Sequence, residues 1–217
     1  WHLRQIVTLA RAGSAQSWPA LRVLLSRWLI TGGLPPVPDE TLASLLAEVA
    51  REQGLAGLLY QAICEEGSSW PGVARMKLRQ TEQEDFTIGV RQLDTASRVQ
   101  DLLGARGVRC LPLKGAALAE RLYDSVSHRP MVDVDLLVLD EWSRAVTLLE
   151  EAGFQEQLRA DHAIAFLDPD SGTAVELHRG VTSCARLFPL DLDATWRRCR
   201  TGAGLMKQVP SSEDLLV

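Results

Sequence analysis

The chain has 217 residues, of which 46% are hydrophobic and 24% charged, and its formal net charge is −5. This length allows one large or two small domains with a substantial core, and the composition is ordinary for a globular protein. The acidic balance argues against a nucleic-acid partner, because backbone phosphates require clustered lysine and arginine. No apolar stretch approaches the roughly 20 residues that span a membrane, and the N-terminus lacks the features of a signal peptide.

The cysteines indicate a reducing compartment. They show no CxxC spacing and lie among apolar or helical residues, which predicts buried free thiols. We therefore expect a cytoplasmic protein without a membrane partner, and the sequence leaves the oligomeric state open. The four positions are Cys64, Cys110, Cys184 and Cys199.

Residues 1–85 are predicted to form a helical N-terminal region. One amphipathic segment is centred on Leu21 to Trp28, and a second runs from Leu42 to Ile63 with Gly54 weakening its middle. Residues 32–39 form a Gly/Pro-rich break between them, and Asp39 or Thr41 is placed to cap the helix that follows. The tryptophans of this region are expected in the core rather than as base-stacking platforms; they are Trp18, Trp28 and Trp70.

A third, longer helix is predicted from Phe86 to Gly104 or Gly107, because apolar residues recur there at spacings of three and four. From residue 108 the pattern changes to alternating strands and helices. Residues 86–200 are therefore predicted to form an α/β (α+β) core, a small mixed β-sheet with packed helices. Residues 168–172 predict a hairpin turn within it. Residues 201–217 are expected to begin a truncated C-terminal helical region, capped by Ser211.

The strand predicted at residues 131–139 carries two carboxylates. Because strand side chains alternate, Asp133 and Asp135 share one face, and the valines and leucine at 132, 134, 136 and 138 take the other. Two acids on one face of a buried strand repel each other and lose hydration, which a raised pKa or a bound cation relieves. The pattern predicts a site for a hard cation such as Mg²⁺, and a solvated edge strand is the alternative.

Two neighbouring motifs favour the metal site. Lys114-Gly115 follows a short apolar strand and opens a helix, where glycine permits close backbone approach and free N–H groups face a phosphate. Downstream, residues 173–178 form a strand on which Glu176 and His178 share a face. A third acid on a third strand is what a two-metal phosphoryl-transfer site needs.

In chain order these elements resemble the nucleotidyltransferase superfamily, and they are similar to a family of poorly characterised bacterial nucleotidyltransferases. The shared motifs are Leu-Lys-Gly at 113–115, Leu-Tyr at 122–123, Arg-Pro at 129–130, Asp-Val-Asp-Leu-Leu-Val at 133–138 and Glu-Leu-His at 176–178. The resemblance implies a Mg²⁺-dependent (or Mn²⁺-dependent) enzyme. It would move a nucleoside monophosphate from a nucleoside triphosphate such as ATP to an unknown hydroxyl-bearing acceptor, releasing pyrophosphate.

The resemblance also implies residue roles. Asp133, Asp135 and Glu176 would be the catalytic metal ligands, with Glu176 also helping to deprotonate the acceptor. The nucleotide or its phosphates would be contacted by Lys114, Gly115, Arg129 and His178. One departure is the turn itself: the superfamily usually has Gly-Ser or Gly-Gly there and a shorter interval, whereas here seventeen residues separate Gly115 from Asp133.

Each of these roles has a purely structural alternative. In that case Lys114 would be an ordinary loop lysine, Arg129 would pair with a nearby acid, and His178 would pack in the core. Two other functions stay open at this point. The first is a non-catalytic binding module with the same fold, which the unusual Lys-Gly turn favours. The second is a metal-dependent phosphohydrolase using Asp133, Asp135, His162 and His178, which lacks a characteristic histidine spacing.

Overall fold

A computed structural model of the chain describes residues 18–37, 39–67, 69–181, 190–202 and 204–216. The chain divides into two compact units, Trp1–Phe86 and Thr87–Val217. Among the described residues, no helix combines the length and the apolar character that crossing a bilayer requires.

The first unit is helical. It contains α1 (Trp18–Thr31), α2 (Glu40–Glu52), α3 (Ala56–Glu65) and the start of α4 (Gly72–Gly104). Asp39 caps α2 as predicted, because its carboxylate accepts a hydrogen bond from the Leu42 amide at 2.9 Å. The core is built from leucines and alanines of these helices, with Trp28 and Trp70 buried among them.

The second unit is a mixed α+β structure. Its sheet has the order β1-β2-β5-β4-β3, in which β2 and β5 are parallel and the other neighbours antiparallel. The strands are β1 (Cys110–Pro112), β2 (Val134–Val138), β3 (Gln155–Arg159), β4 (Ala163–Leu167) and β5 (Ala174–His178). The helices are the end of α4, then α5 (Lys114–Leu122), α6 (Trp142–Glu151) and α7 (Leu192–Arg198). A small β6 (Arg200–Thr201) and β7 (Gln208–Val209) pair precedes a 3-10 turn (Asp214–Leu216).

The two faces of this sheet have different roles. On one face Val134, Leu136 and Val138 pack with apolar side chains of α4, α5 and α6 to form the main core. On the opposite face, Leu137 joins a smaller apolar cluster that includes Leu192 and Trp196 of α7. Asp135, between Val134 and Leu136, therefore lies on the α7 face of the sheet.

The acidic strand is shorter than predicted. Pairing begins at Val134, and Val132 is 91% exposed instead of lying on the buried face. The physical reason is a tertiary contact: the Met131 carbonyl accepts a hydrogen bond from the Gln92 side chain of α4 at 3.1 Å and is not part of the sheet. Asp133 consequently precedes the strand that it was predicted to share with Asp135.

The structure confirms the predicted hairpin turn, corrects the predicted segment from Leu42 to Ile63, and confirms the burial of one cysteine. The hairpin turn is confirmed, since the Gly172 amide donates to the Asp168 carbonyl at 2.8 Å. The single segment from Leu42 to Ile63 is wrong, because the chain turns after α2 and Gly54 adopts a φ of +66°. Cys110 is buried as predicted but Cys64 is exposed, and Cys199 is intermediate. Cys184 lies outside the described residues.

Candidate active site

Two adjacent strands bring an aspartate, a glutamate and a histidine together. The parallel register sets Asp135 of β2 directly beside Glu176 of β5, and His178 lies two residues along on the same face. His178 Nε2 is 2.7 Å from Asp135 Oδ1 and 3.2 Å from Glu176 Oε2. One ligand atom from each of the three residues lies within 4.8 Å of the others. The cluster is thus a candidate metal centre.

The burial of this cluster is graded. Asp135 is 4% exposed and His178 is 7% exposed, whereas the Glu176 side chain is 30% exposed. A ligand would therefore reach the cluster from the Glu176 side. His162 is nearby, with its ring centroid 6.5 Å from that of His178, but it is not one of the three clustered residues.

Lys114 supplies the positive charge at the cluster. It is the first residue of α5 and adopts a left-handed φ of +45°, which is uncommon for a residue other than glycine. Its Nζ atom is 2.6 Å from Asp135 Oδ1, the same oxygen that His178 contacts. The turn is also joined to β2 through the backbone, since the Leu113 amide donates to the Asp135 carbonyl at 2.9 Å.

These contacts set the charge states of the cluster. Burial opposes ionisation of Asp135, but the hydrogen bonds from His178 and Lys114 outweigh it and lower the pKa of Asp135. Burial likewise opposes the charge of Lys114, but the hydrogen bond to Asp135 and the charge of Glu176 raise the pKa of Lys114. Asp135 and Lys114 therefore form an ion pair at neutral pH.

Asp133 lies beside the cluster rather than in it. It is partly buried just before β2, and it is not one of the three residues whose ligand atoms converge. Burial raises the pKa of Asp133, and the charges of Asp135 and Glu176 raise it further. The electrostatic coupling shows that Asp133 is within reach of their field, so an added cation would stabilise its ionised form.

Gly115 and Arg129 have local structural roles. A Cβ atom at Gly115 would be 2.6 Å from Met131 Cγ, so its missing side chain leaves room for Met131. The Arg129 guanidinium donates to the adjacent Pro130 carbonyl at 3.1 Å. Of the seven predicted site residues, the structure brings together Lys114, Asp135, Glu176 and His178.

The donor set fits a divalent cation. Carboxylate oxygens suit Mg²⁺, and a carboxylate set with one imidazole suits Mn²⁺ as well. Asp135 is charged and buried, and a buried carboxylate has to be stabilised either by hydrogen bonds from cationic or polar side chains or by a metal ion. The contacts of Lys114 and His178 are to Oδ1, which leaves Oδ2 as a further donor.

Sequence reasoning missed a buried network that positions β5. Asp168, 2% exposed, accepts hydrogen bonds from Ser171 Oγ at 2.6 Å and from the Asp170 amide at 3.2 Å. It also forms an ion pair with Arg98 of α4. This network fixes the turn that leads into the strand carrying Glu176 and His178. The turn motif marked Asp168 as polar, but no local pattern linked it to an arginine seventy residues earlier.

This chain is similar to a known family and, distantly, to a solved structure. No curated protein matches the chain. An antigenic nucleotidyltransferase-like protein from Paracoccidioides brasiliensis has a solved structure that is similar at 21% identity and a TM-score of 0.39. The match covers 58% of this chain and 63% of that protein's chain, so it spans less than two thirds of that relative. Residues 39–217 match the family described as uncharacterised nucleotidyltransferase. The chain therefore belongs to this nucleotidyltransferase family.

Proposed function

We propose that the chain is a divalent-cation-dependent nucleotidyltransferase that moves a nucleoside monophosphate from a nucleoside triphosphate to a hydroxyl-bearing acceptor. The observation that carries the proposal is the in-register placement of Asp135 and Glu176 on parallel strands, with His178 between their carboxylates. Family membership supports the same reaction class.

In this proposal Asp135, Glu176 and His178 hold the cation, and Asp133 joins them once the cation offsets the repulsion between carboxylates. Mg²⁺ or Mn²⁺, when bound, neutralises charge on the phosphates and on the developing transition state. The ammonium of Lys114 and the first N–H groups of α5, beginning at Gly115, face the triphosphate. Arg129 contributes a guanidinium at the periphery.

The covalent change is a substitution at the α-phosphorus. The acceptor hydroxyl gives its proton to the carboxylate of Glu176, the partly exposed acid of the cluster. The acceptor oxygen forms a bond to the α-phosphorus while the bond from that phosphorus to the bridging oxygen of the β-phosphate breaks. Pyrophosphate leaves with the electron pair, and the nucleoside monophosphate remains on the acceptor.

Label transfer from α-³²P-labelled nucleoside triphosphates tests this proposal. Sugars, aminoglycosides, serine and tyrosine peptides and the protein itself serve as acceptors, with Mg²⁺ or Mn²⁺ present and pyrophosphate measured in parallel. We expect labelled acceptor and equimolar pyrophosphate from the wild type, and a loss of at least a hundredfold in Asp135→Asn. The matched control is Asp170→Asn, an exposed acid in the same unit. Equal transfer by Asp135→Asn, or release of inorganic phosphate alone, would contradict the proposal.

A non-catalytic binding module is the second candidate function. It is favoured by the ion pair of Lys114 with Asp135, which neutralises the buried carboxylate without any metal. Under this alternative the wild type binds a ligand equally well with and without a divalent cation. Transfer of the labelled nucleoside monophosphate to an acceptor would exclude it.

A further inference from the structure

The oxygen Asp135 Oδ1 is shared by two cationic or polar donors. Lys114 Nζ lies 2.6 Å from it and His178 Nε2 lies 2.7 Å from it. A divalent cation held by Asp135 either replaces one of the two at Oδ1 or, bound at Oδ2 of the same carboxylate, is repelled by the ammonium that remains at Oδ1.

The burial of the two donors decides which one leaves. His178 is 7% exposed and is held by contacts to both Asp135 and Glu176. The Lys114 side chain is 58% exposed, and its contact in the cluster is the single ion pair with Asp135. A long exposed side chain can move its charge into solvent at little cost, whereas a buried imidazole cannot. Lys114 is therefore the donor that a cation displaces.

There is room beside Lys114 for this movement. Together with Leu113, Val181, Leu215 and Asp214 it lines a cavity of about 70 Å³. Asp214 does not offer the ammonium a free carboxylate, because it is engaged by Arg198 at 2.5 Å and by Ser211 at 2.7 Å. The released ammonium is therefore left in solvent, and its position at the start of α5 is one where a phosphate is favoured as a new partner.

We propose that Lys114 couples the binding of cation and nucleotide: it stands in for the cation on Asp135, is displaced when the cation binds, and then pairs with the phosphates. This inference rests on the proposed function and adds its regulation. The cation alone has to break the ion pair without replacement. With a nucleotide present, the ammonium gains a new anionic partner, so each ligand tightens the binding of the other.

The test measures Mn²⁺ binding by electron paramagnetic resonance, with and without an α,β-methylene nucleoside triphosphate that cannot be cleaved. The proteins are the wild type, Lys114→Gln and Lys114→Asn, since asparagine tolerates the left-handed backbone at this position. The matched control is Lys207→Gln, an exposed lysine of the same unit whose Nζ is 3.8 Å from Asp101. The nucleotide chelates Mn²⁺ equally in every sample, so comparison is made between proteins.

Without nucleotide, we expect both Lys114 variants to bind Mn²⁺ about fivefold more tightly than the wild type, the effect of removing one partly exposed ion pair. With nucleotide, the wild type gains Mn²⁺ affinity and the variants lose most of that gain. Equal Mn²⁺ affinity of wild type and variants without nucleotide, including binding too weak to detect in all of them, would overturn the inference. Tighter Mn²⁺ binding by the variants with no nucleotide binding by any protein would instead overturn the proposed function, and the coupling with it.

Discussion

The substitution Asp168→Asn tests how the turn before β5 supports the site. The carboxylate of Asp168 accepts from Arg98, from Ser171 Oγ and from the Asp170 amide, and an asparagine cannot satisfy all three because one of its two positions becomes a donor. The main loss is the charge-assisted bond to Arg98, worth about 1.5 to 3 kcal/mol for a charged group. The Arg98 side chain is 44% exposed and regains hydrogen bonds to water when the carboxylate is removed. We therefore expect Asp168→Asn to lower the free energy of opening of this region by about 2 kcal/mol.

Hydrogen exchange of the β4 and β5 amides, followed by mass spectrometry, measures this loss as the free energy of opening. A change of about 2 kcal/mol corresponds to roughly thirtyfold faster exchange of these strands at pH 7. The matched control is Asp170→Asn, which changes an exposed acid in the same turn. Exchange in Asp168→Asn within twofold of the wild type would refute the assignment of Asp168 as the residue that holds this turn.

The effect also depends on pH. Burial opposes the charge of Asp168, but hydrogen bonds from Ser171, Arg98 and the Asp170 amide outweigh it and hold the pKa of Asp168 below its usual range. The folded pKa is thus below the unfolded one, so the stabilisation is complete above the unfolded value of about 3.9 and is lost as the pH falls through the folded pKa. The difference between the wild type and Asp168→Asn is therefore expected to shrink below about pH 4.

Three further predictions concern the site and the thiols. The Cβ of Gly115→Ala would be 2.6 Å from Met131 Cγ, so this variant should bind nucleotide more weakly, as measured by calorimetry. The double variant Gly115→Ala/Met131→Ala should restore the affinity. A double variant that still binds weakly would show that the ligand itself needs the space at Gly115. His178→Gln should lower Mn²⁺ affinity by about tenfold or more and Mg²⁺ affinity less, as measured by calorimetry, because imidazole favours Mn²⁺ over Mg²⁺; equal losses would remove His178 from the ligand set. Iodoacetamide at pH 8 should alkylate exposed Cys64 and leave Cys110 unmodified, because burial raises the pKa of the Cys110 thiol to about 12. Comparable labelling of the two cysteines in peptide mass spectrometry would contradict the burial of Cys110.

The parts of the site that sequence could predict depend on alternation along single strands. Period-two spacing placed Glu176 and His178 on one face of β5, and the register of β2 with β5 then set Asp135 beside Glu176. The ion pair of Lys114 with Asp135 was beyond such reasoning. It depends on how the turn after β1 docks on β2, which involves residues twenty-one positions apart.

The error in the predicted length of the acidic strand has a tertiary cause. Apolar residues around Val132 matched a strand pattern, yet a hydrogen bond from Gln92 takes the Met131 carbonyl, and pairing begins only at Val134. Leu122 of the Leu-Tyr motif is 68% exposed, whereas the small side chains of Ala116 and Ala119 on the same helix are part of the core. A local pattern of apolar residues does not show whether a backbone carbonyl will pair with a neighbouring strand or with a side chain from a distant helix.

A calorimetric titration of each nucleoside triphosphate with and without Mg²⁺ tests most directly whether the Asp135 cluster is a metal–nucleotide site. It compares the wild type with Asp135→Asn and with the double variant Asp133→Asn/Asp135→Asn, and Asp170→Asn is the control. We predict that the wild type and the control bind nucleotide only with Mg²⁺, and that both Asp135 variants bind it at least tenfold more weakly. Binding that is independent of Mg²⁺ and unchanged in the variants, or no binding by the wild type to any nucleotide, would contradict this assignment.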